Sequence, residues 1–184
     1  MQDPSKAEEP SALLPSPQVA ALREYTPADL RDISGDDRDP FEVSALGLTW
    51  RPKEQHFGIR AESRLVAHAG WVAVPVSVAG TTLRVAGLGG VIVAPELRGR
   101  GLAGLVVSAA MAQASAQGLQ FGLLFCRPDR MPVYRKMGWT PLLTDVTVQQ
   151  PGGDLTMPLP AMWMSLGTSV PWPPGAVRLL SLPM

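Results

Sequence analysis

The sequence predicts a mixed α/β domain with a mostly antiparallel sheet, one parallel strand pair and flanking helices. Two patterns carry that class. Extended runs over 57–61, 65–78 and 83–93 are separated only by Glu62-Ser63-Arg64 and Ala79-Gly80-Thr81, and separators this short allow only an antiparallel meander. The third run then feeds a Gly-rich turn, an Ala-rich apolar stretch over 102–117 and a further apolar run over 121–126. Strand, helix and strand in that order require a right-handed crossover onto a parallel neighbour. The composition agrees with one domain: 184 residues, 46% hydrophobic and 17% charged, enough to bury a sizeable core.

The elements follow in chain order. Residues 1–20 hold Pro4, Pro10, Pro15 and Pro17 among acidic and small residues without a sustained period, and read as a flexible leader to a single domain over 21–184. A first helix starts at Pro27, with Thr26 as its cap and Leu30 and Ile33 on one apolar face, and Gly35 ends it. The acidic link Asp36-Asp37-Arg38-Asp39-Pro40 leads to a weakly helical stretch over 41–46. After the meander, the helix over 102–117 stops at Gly118. A buried strand over 121–126, a short helix over 131–137 and strands over 144–149 and 162–166 complete the sheet.

Several function classes drop out on composition. No apolar run approaches the roughly 18 residues of a membrane helix, and residues 1–18 lack a basic-then-apolar leader, so a cytoplasmic protein is expected. Cys126 is the sole cysteine, which excludes an internal disulfide and a Cys-based zinc cluster; no metal is implied. Net charge is zero, yet residues 1–40 hold four basic and nine acidic side chains and residues 41–184 hold twelve and seven. A body at +5 is too weakly basic for a nucleic-acid binder, but suits a small polyanion where the charge clusters beside a pocket.

Such a cluster stands at Val91-Ile92-Val93-Ala94-Pro95-Glu96-Leu97-Arg98-Gly99-Arg100-Gly101-Leu102-Ala103. A strand enters a loop that opens a helix, so unpaired amide N–H groups and the helix dipole face an anion, and the two glycines admit it closely. Gly99 to Gly104 also satisfies G-x-G-x-x-G. A dinucleotide site, however, expects an acidic residue after the next strand, where Cys126-Arg127 stands, and the 46 residues after Gly138 are too few for the remaining βα units.

Arg98-x-x-Gly101-x-Ala103 resembles the pyrophosphate loop of the GNAT superfamily of N-acetyltransferases. Val-x-Val-x-Pro in the preceding strand and Tyr134-Arg135-Lys136-Met137-Gly138-Trp139 after the following one extend the likeness, and the element order carries it over about 20–170. Leu65-Val66-Ala67-His68-Ala69 and Trp172-Pro173-Pro174-Gly175 are similar to the aminoglycoside 2′-N-acetyltransferase branch. The resemblance implies the acyl-CoA N-acyltransferase fold, its parallel pair splayed into a wedge for acetyl-CoA as cosubstrate. Val91, Ile92 and Val93 would lie along the pantetheine and acetyl group, with Arg98, Gly99, Arg100, Gly101, Leu102 and Ala103 around the pyrophosphate.

The same resemblance implies direct transfer to an amine. The Val93 N–H is the expected oxyanion donor, since its strand must stop pairing before Pro95, and Tyr134 matches the family's general acid. The aminoglycoside branch carries an acidic residue where this chain has Gly89. The base therefore stays open among Glu96, His56, His68, Asp145 and the α-carboxylate of Met184, which the Pro171-Trp172-Pro173-Pro174 segment would hold against the body; Met184 or a water chain is the expectation. His68 reads first as a satisfied structural residue, Cys126 as a buried small hydrophobe and the acidic link as a solvated loop. The expected activity is N-acetylation of a small primary amine, aminoglycoside-like or otherwise, by a protein for which the family carries an expectation of a homodimer. The competing class is a catalytically weak acyl-CoA-binding module.

Overall fold

The computed structural model describes residues 17–167 and 169–184. The expected leader lies outside the described residues through position 16, and its end at Val19 and Ala20 belongs to β1 (Val19–Leu22), which pairs antiparallel with β2 (Gln55–Ala61). Helix α1 (Pro27–Ser34) begins with a full capping box: the Thr26 hydroxyl accepts from the Asp29 N–H at 3.2 Å, and the Asp29 carboxylate accepts from the Thr26 N–H at 3.0 Å. Gly35 at φ 62° closes it. The stretch expected to be weakly helical over 41–46 forms only a 3₁₀ turn at Ser44–Leu46. Its amides are held by the Asp39 carboxylate, which accepts from the Val43 and Ser44 N–H groups, and a side chain that satisfies the main chain this way competes with helix propagation.

The meander is present as read. β2, β3 (Arg64–Val78) and β4 (Thr81–Val93) are antiparallel neighbours, β4 leads through a 3₁₀ turn at Pro95–Leu97 into α2 (Leu102–Ala116), and β5 (Phe121–Phe125) returns parallel to β4. A short helix α3 (Met131–Lys136) follows, then β6 (Thr140–Pro141), β7 (Val146–Val148), β8 (Leu155–Thr156), β9 (Ala161–Ser165) and β10 (Val177–Leu179). The strand order is β6-β9-β5-β4-β3-β10-β7-β8, with β2 also on β3. β3 is long enough to pair with β2 through residues 64–71 and with β10 through residues 76–78 on one edge. β10 enters antiparallel to β3 and parallel to β7, a connection that local sequence pattern did not announce.

The core lies on both faces of this sheet. α1 and α2 cover one face, where Ile33, Leu102, Val106, Ala110 and Ala114 pack on Leu65, Ala67, Trp71 and Leu124. On the other, Val72, Val74, Val76 and Val85 meet Phe121, Leu123, Val146 and Leu179. The two clusters draw alternate residues of β5, Leu124 to the first and Leu123 to the second, as a two-sided buried strand requires. Gln113 anchors α2 through polar contacts, accepting from the Trp71 indole at 2.9 Å and donating to Gln55 at 3.2 Å.

Two departures from regular pairing place the site. β4 and β5 are in register only at Ala86↔Gly122 and Gly87↔Leu123, so beyond Gly87 the two strands diverge. Between β3 and β4 the register slips from Gly70↔Gly89 to His68↔Ile92, a bulge that sets Gly90 at φ 61°. Among the described residues no helix is long and apolar enough to cross a membrane.

Candidate active site

The diverging strands open a cavity of about 900 Å³, lined on one wall by residues 88–93 of β4 and on the other by residues 124–127, where β5 ends and the chain runs on through Cys126 and Arg127. The bulge and the splay leave main-chain groups without a strand partner. Ala94 N–H donates to the Val66 carbonyl at 2.9 Å. Alternation along an antiparallel pair then turns the Val93 N–H and C=O away from β3 and toward the gap, while Ile92 turns its own back to His68. The Val93 carbonyl takes a hydrogen bond from Arg98 Nε at 3.3 Å, which ties the loop to the strand end.

At the mouth, Gly99 and Gly101 adopt φ 77° and 80°, a left-handed conformation that a side chain would strain, and a Cβ at either would meet open space. The first α2 hydrogen bond with Gly101 as acceptor comes from the Leu105 N–H at 3.3 Å. The amides of Leu102, Ala103 and Gly104 precede it as the orphan donors of the first turn, and all three residues line the cavity with Arg98, Gly99 and Gly101. Arg100 lies outside that lining and is exposed. The arrangement fits the diphosphate of a nucleotide cosubstrate: neutral donors converge on open space, with one guanidinium beside them.

The rest of the lining includes Tyr134 and Cys126, and also Lys53, Gly89 and Met184, which stand against one another and form the inner wall. Burial, with the neighbouring Cys126, drives the Tyr134 hydroxyl far above its ordinary pKa, so it stays a proton donor. The ring meets Trp139 edge-on at 6.2 Å. Burial also pushes the Cys126 thiol up to about 11, which keeps it protonated and a poor nucleophile; its Sγ contacts Met162 Sδ at 3.9 Å.

Of the five candidate bases, Met184 alone lines this cavity. It is 3% exposed and is drawn in because β10 binds its segment to the sheet: the Leu180 N–H donates to Pro75 at 2.9 Å and the Arg51 N–H to Pro183 at 2.6 Å. Trp172 of the proline-rich stretch packs edge-on against Phe121 at 5.3 Å. Glu96 is exposed and paired with Arg64, and Asp145 is exposed. His68 is buried with both ring nitrogens engaged, Nδ1 on the Gly90 carbonyl at 2.7 Å and Nε2 on His56 Nδ1 at 3.1 Å. A carbonyl only accepts, so His68 Nδ1 carries the proton and His56 Nδ1 donates to its Nε2. Tyr25 stacks on that ring at 3.6 Å.

The acidic link is structural. Asp37 accepts from the Asp39 N–H at 3.0 Å, Asp39 holds the following turn, and Glu42 pairs with Arg127 and Arg130 across the cavity mouth. Among the described residues no group of three or more His, Cys, Asp or Glu is placed to hold a metal ion. Lys53, absent from the sequence-based candidates, faces Gly89 with its stem over the strand. It stands in an irregular segment between Trp50 and β2, where no period or motif marks it.

A family model for the acetyltransferase (GNAT) domain matches residues 37–142. That is more than half of the chain, and the chain belongs to this acetyltransferase family. Among solved structures, a GNAT family N-acetyltransferase (YhbS) from Escherichia coli in complex with CoA is 18% identical, covers 91% of this chain and 94% of its own, and superposes with a TM-score of 0.56. The ribosomal-protein-S18-alanine N-acetyltransferase from Escherichia coli follows at 14% identity, 85% and 99% coverage and a TM-score of 0.54. Eis1 from Mycobacterium abscessus is 17% identical over 71% of this chain and 32% of its own, with a TM-score of 0.51. At these identities the likeness establishes the GNAT fold. No curated protein matches the chain.

Proposed function

We propose that residues 21–184 act as one cytoplasmic domain that transfers acetyl from acetyl-CoA to a primary amine of a small molecule by direct attack. The observation that carries this reading is the β4/β5 splay: it opens one cavity whose lining includes both the loop residues Arg98, Gly99, Gly101, Leu102 and Ala103 and the proton donor Tyr134. Arg100 adds long-range charge from outside the lining. Val91 and Val93 offer main-chain groups to the pantetheine amides, and Ile92 backs them through its side chain.

Each residue then has a task. The Val93 N–H, aimed into the gap, stabilises the oxyanion as the amine adds to the thioester. Tyr134, held protonated by burial, delivers a proton to the departing thiolate. The α-carboxylate of Met184, beside Gly89 on the inner wall, takes the proton from the attacking amine. Glu42 is the sole carboxylate side chain in the lining and already serves Arg127 and Arg130, which favours an acceptor with one amine on an apolar body over an aminoglycoside-like polycation. Trp50, Phe41 and Leu159 supply apolar contacts for it.

A weak acyl-CoA-binding module is the second reading, favoured by Gly89 where an acidic side chain would act. Calorimetric titration with acetyl-CoA, followed by thiol release over a panel of small amines and aminoglycosides, separates the two. Binding with turnover establishes the enzyme, binding without turnover on any amine selects the module, and absence of binding removes both.

A further inference from the structure

The cavity lining already contains an amine, that of Lys53. The Lys53 stem lies in a groove that two glycines open: a Cβ at Gly70 would stand 2.9 Å from Lys53 Cβ and Cγ, and a Cβ at Gly89 would stand 2.4 Å from Cε and 2.9 Å from Nζ. Gly70 and Gly89 are cross-strand partners on β3 and β4. Next along β4, Gly87 admits the Met184 side chain, with Cγ at 2.6 Å from its Cβ position. Lys53 lines the cavity together with Gly89, Gly90 and Val91.

Polar support for the ammonium is thin. Nζ donates to the Arg51 carbonyl at 3.5 Å, and among the described residues no side-chain carboxylate pairs with it. Desolvation by burial brings its pKa down to about 8, so a minor neutral, nucleophilic fraction is present at pH 7. Lys136, the other lysine of the lining, is exposed at the end of α3.

We propose that Lys53 is a self-acetylation site, taking one acetyl group from acetyl-CoA when no acceptor occupies the cavity. This rests on the donor-site reading above. The neutral Nζ attacks the thioester carbon, the N–C bond forms as the C–S bond breaks, and the proton lost by nitrogen is balanced by the proton gained by the CoA thiolate. The products are Nε-acetyl-lysine and CoA thiol, with no change of oxidation state. Other titratable groups around Nζ are His56 on β2, His68 on β3 and the Met184 α-carboxylate, and the pH response of the step includes theirs.

The test is intact-mass and peptide mass spectrometry of the full chain incubated with acetyl-CoA alone, beside Lys53→Arg and Gly101→Asp proteins, with acetyl-CoA binding followed by calorimetry. The expected result is one acetyl group mapped to Lys53 and one equivalent of thiol. The rate should rise through about pH 8 and the product be absent from Lys53→Arg, while Gly101→Asp should lose it because its donor loop is blocked. A wild-type protein that binds acetyl-CoA yet gains no acetyl group, or gains it only at Lys6 or Lys136, overturns the proposal and leaves the donor site standing. Equal Lys53 acetylation in Gly101→Asp would also overturn it, as bulk chemistry. Failure to bind acetyl-CoA at all overturns the donor-site reading and this proposal together.

Discussion

Gly70 on β3 and Gly89 on β4 face each other across the sheet, and the Lys53 side chain lies over both. The missing side chain at Gly89 is therefore not an empty catalytic position. Its space is taken by Lys53 and by the Met184 main chain, whose carbonyl carbon would stand 3.1 Å from a Gly89 Cβ. Gly70→Ala meets the base of the Lys53 stem and the Gln55 carbonyl at 3.2 Å, neither of which moves freely. Urea unfolding should show a loss of about 1–3 kcal/mol from overpacking. Gly89→Ala meets the flexible end of the stem and, at 3.1 Å, the terminal carboxyl carbon of Met184, so its main effect should be to displace both and lower turnover, with a smaller loss on unfolding than Gly70→Ala.

The donor loop is checked through acetyl-CoA affinity. Arg98→Ala removes one charge-assisted partner and should weaken binding about tenfold, equivalent to ~1.4 kcal/mol. Gly101→Asp imposes a Cβ at φ 80° and a negative charge against phosphate, and should weaken it further. Unchanged affinity in the Gly101→Asp protein would take the loop out of the site.

Tyr134→Phe separates packing from proton donation. The ring keeps its edge-on contact with Trp139, so thermal stability should hold, while kcat should fall roughly a hundredfold for loss of a general acid. A variant with unchanged kcat would return Tyr134 to a packing role.

Appending one residue after Met184 moves the α-carboxylate from the inner wall. Lower kcat with a displaced acidic limb in the pH profile is the expected outcome, with acetyl-CoA affinity retained. An unchanged profile would assign the proton transfer to water or to another group.

Stability should fall on acidification through His68. Burial lowers its pKa from 6.5 to about 4, so the folded state resists a proton that the unfolded chain accepts. The His68 contribution is complete above about pH 6.5 and is lost as pH falls toward 4. Asp29, held below 3.8 by its Thr26 hydrogen bonds, gives way at lower pH still. Urea titrations across this range should show the decline, and His68→Gln should flatten its upper part.

Features written in adjacent residues were legible without coordinates. Thr26 and Asp29 form the α1 cap from side chains three positions apart, the meander follows from separators too short for any other connection, and Gly101 stands at the start of an apolar helix whose first amides lack helix partners. Tyr134 and Val93 were legible as candidates through resemblance, and the structure brings both to one cavity. Lys53 was not, because its environment is made by Gly70 and Gly89, seventeen and thirty-six positions away.

By itself, then, the sequence determined the elements whose hydrogen bonds and apolar faces are local: α1, α2, the β2–β4 meander and the loop joining β4 to α2. Tertiary structure alone decided where β1 and β10 pair, because strands of four and three residues carry too short a period to declare a register and acquire it from the neighbour that satisfies their backbone. β10 in turn carries Met184 onto Gly87 and Gly89. The inner wall of the candidate site is thus assembled from segments about a hundred residues apart, and the desolvation of Lys53 there is something no linear pattern encodes.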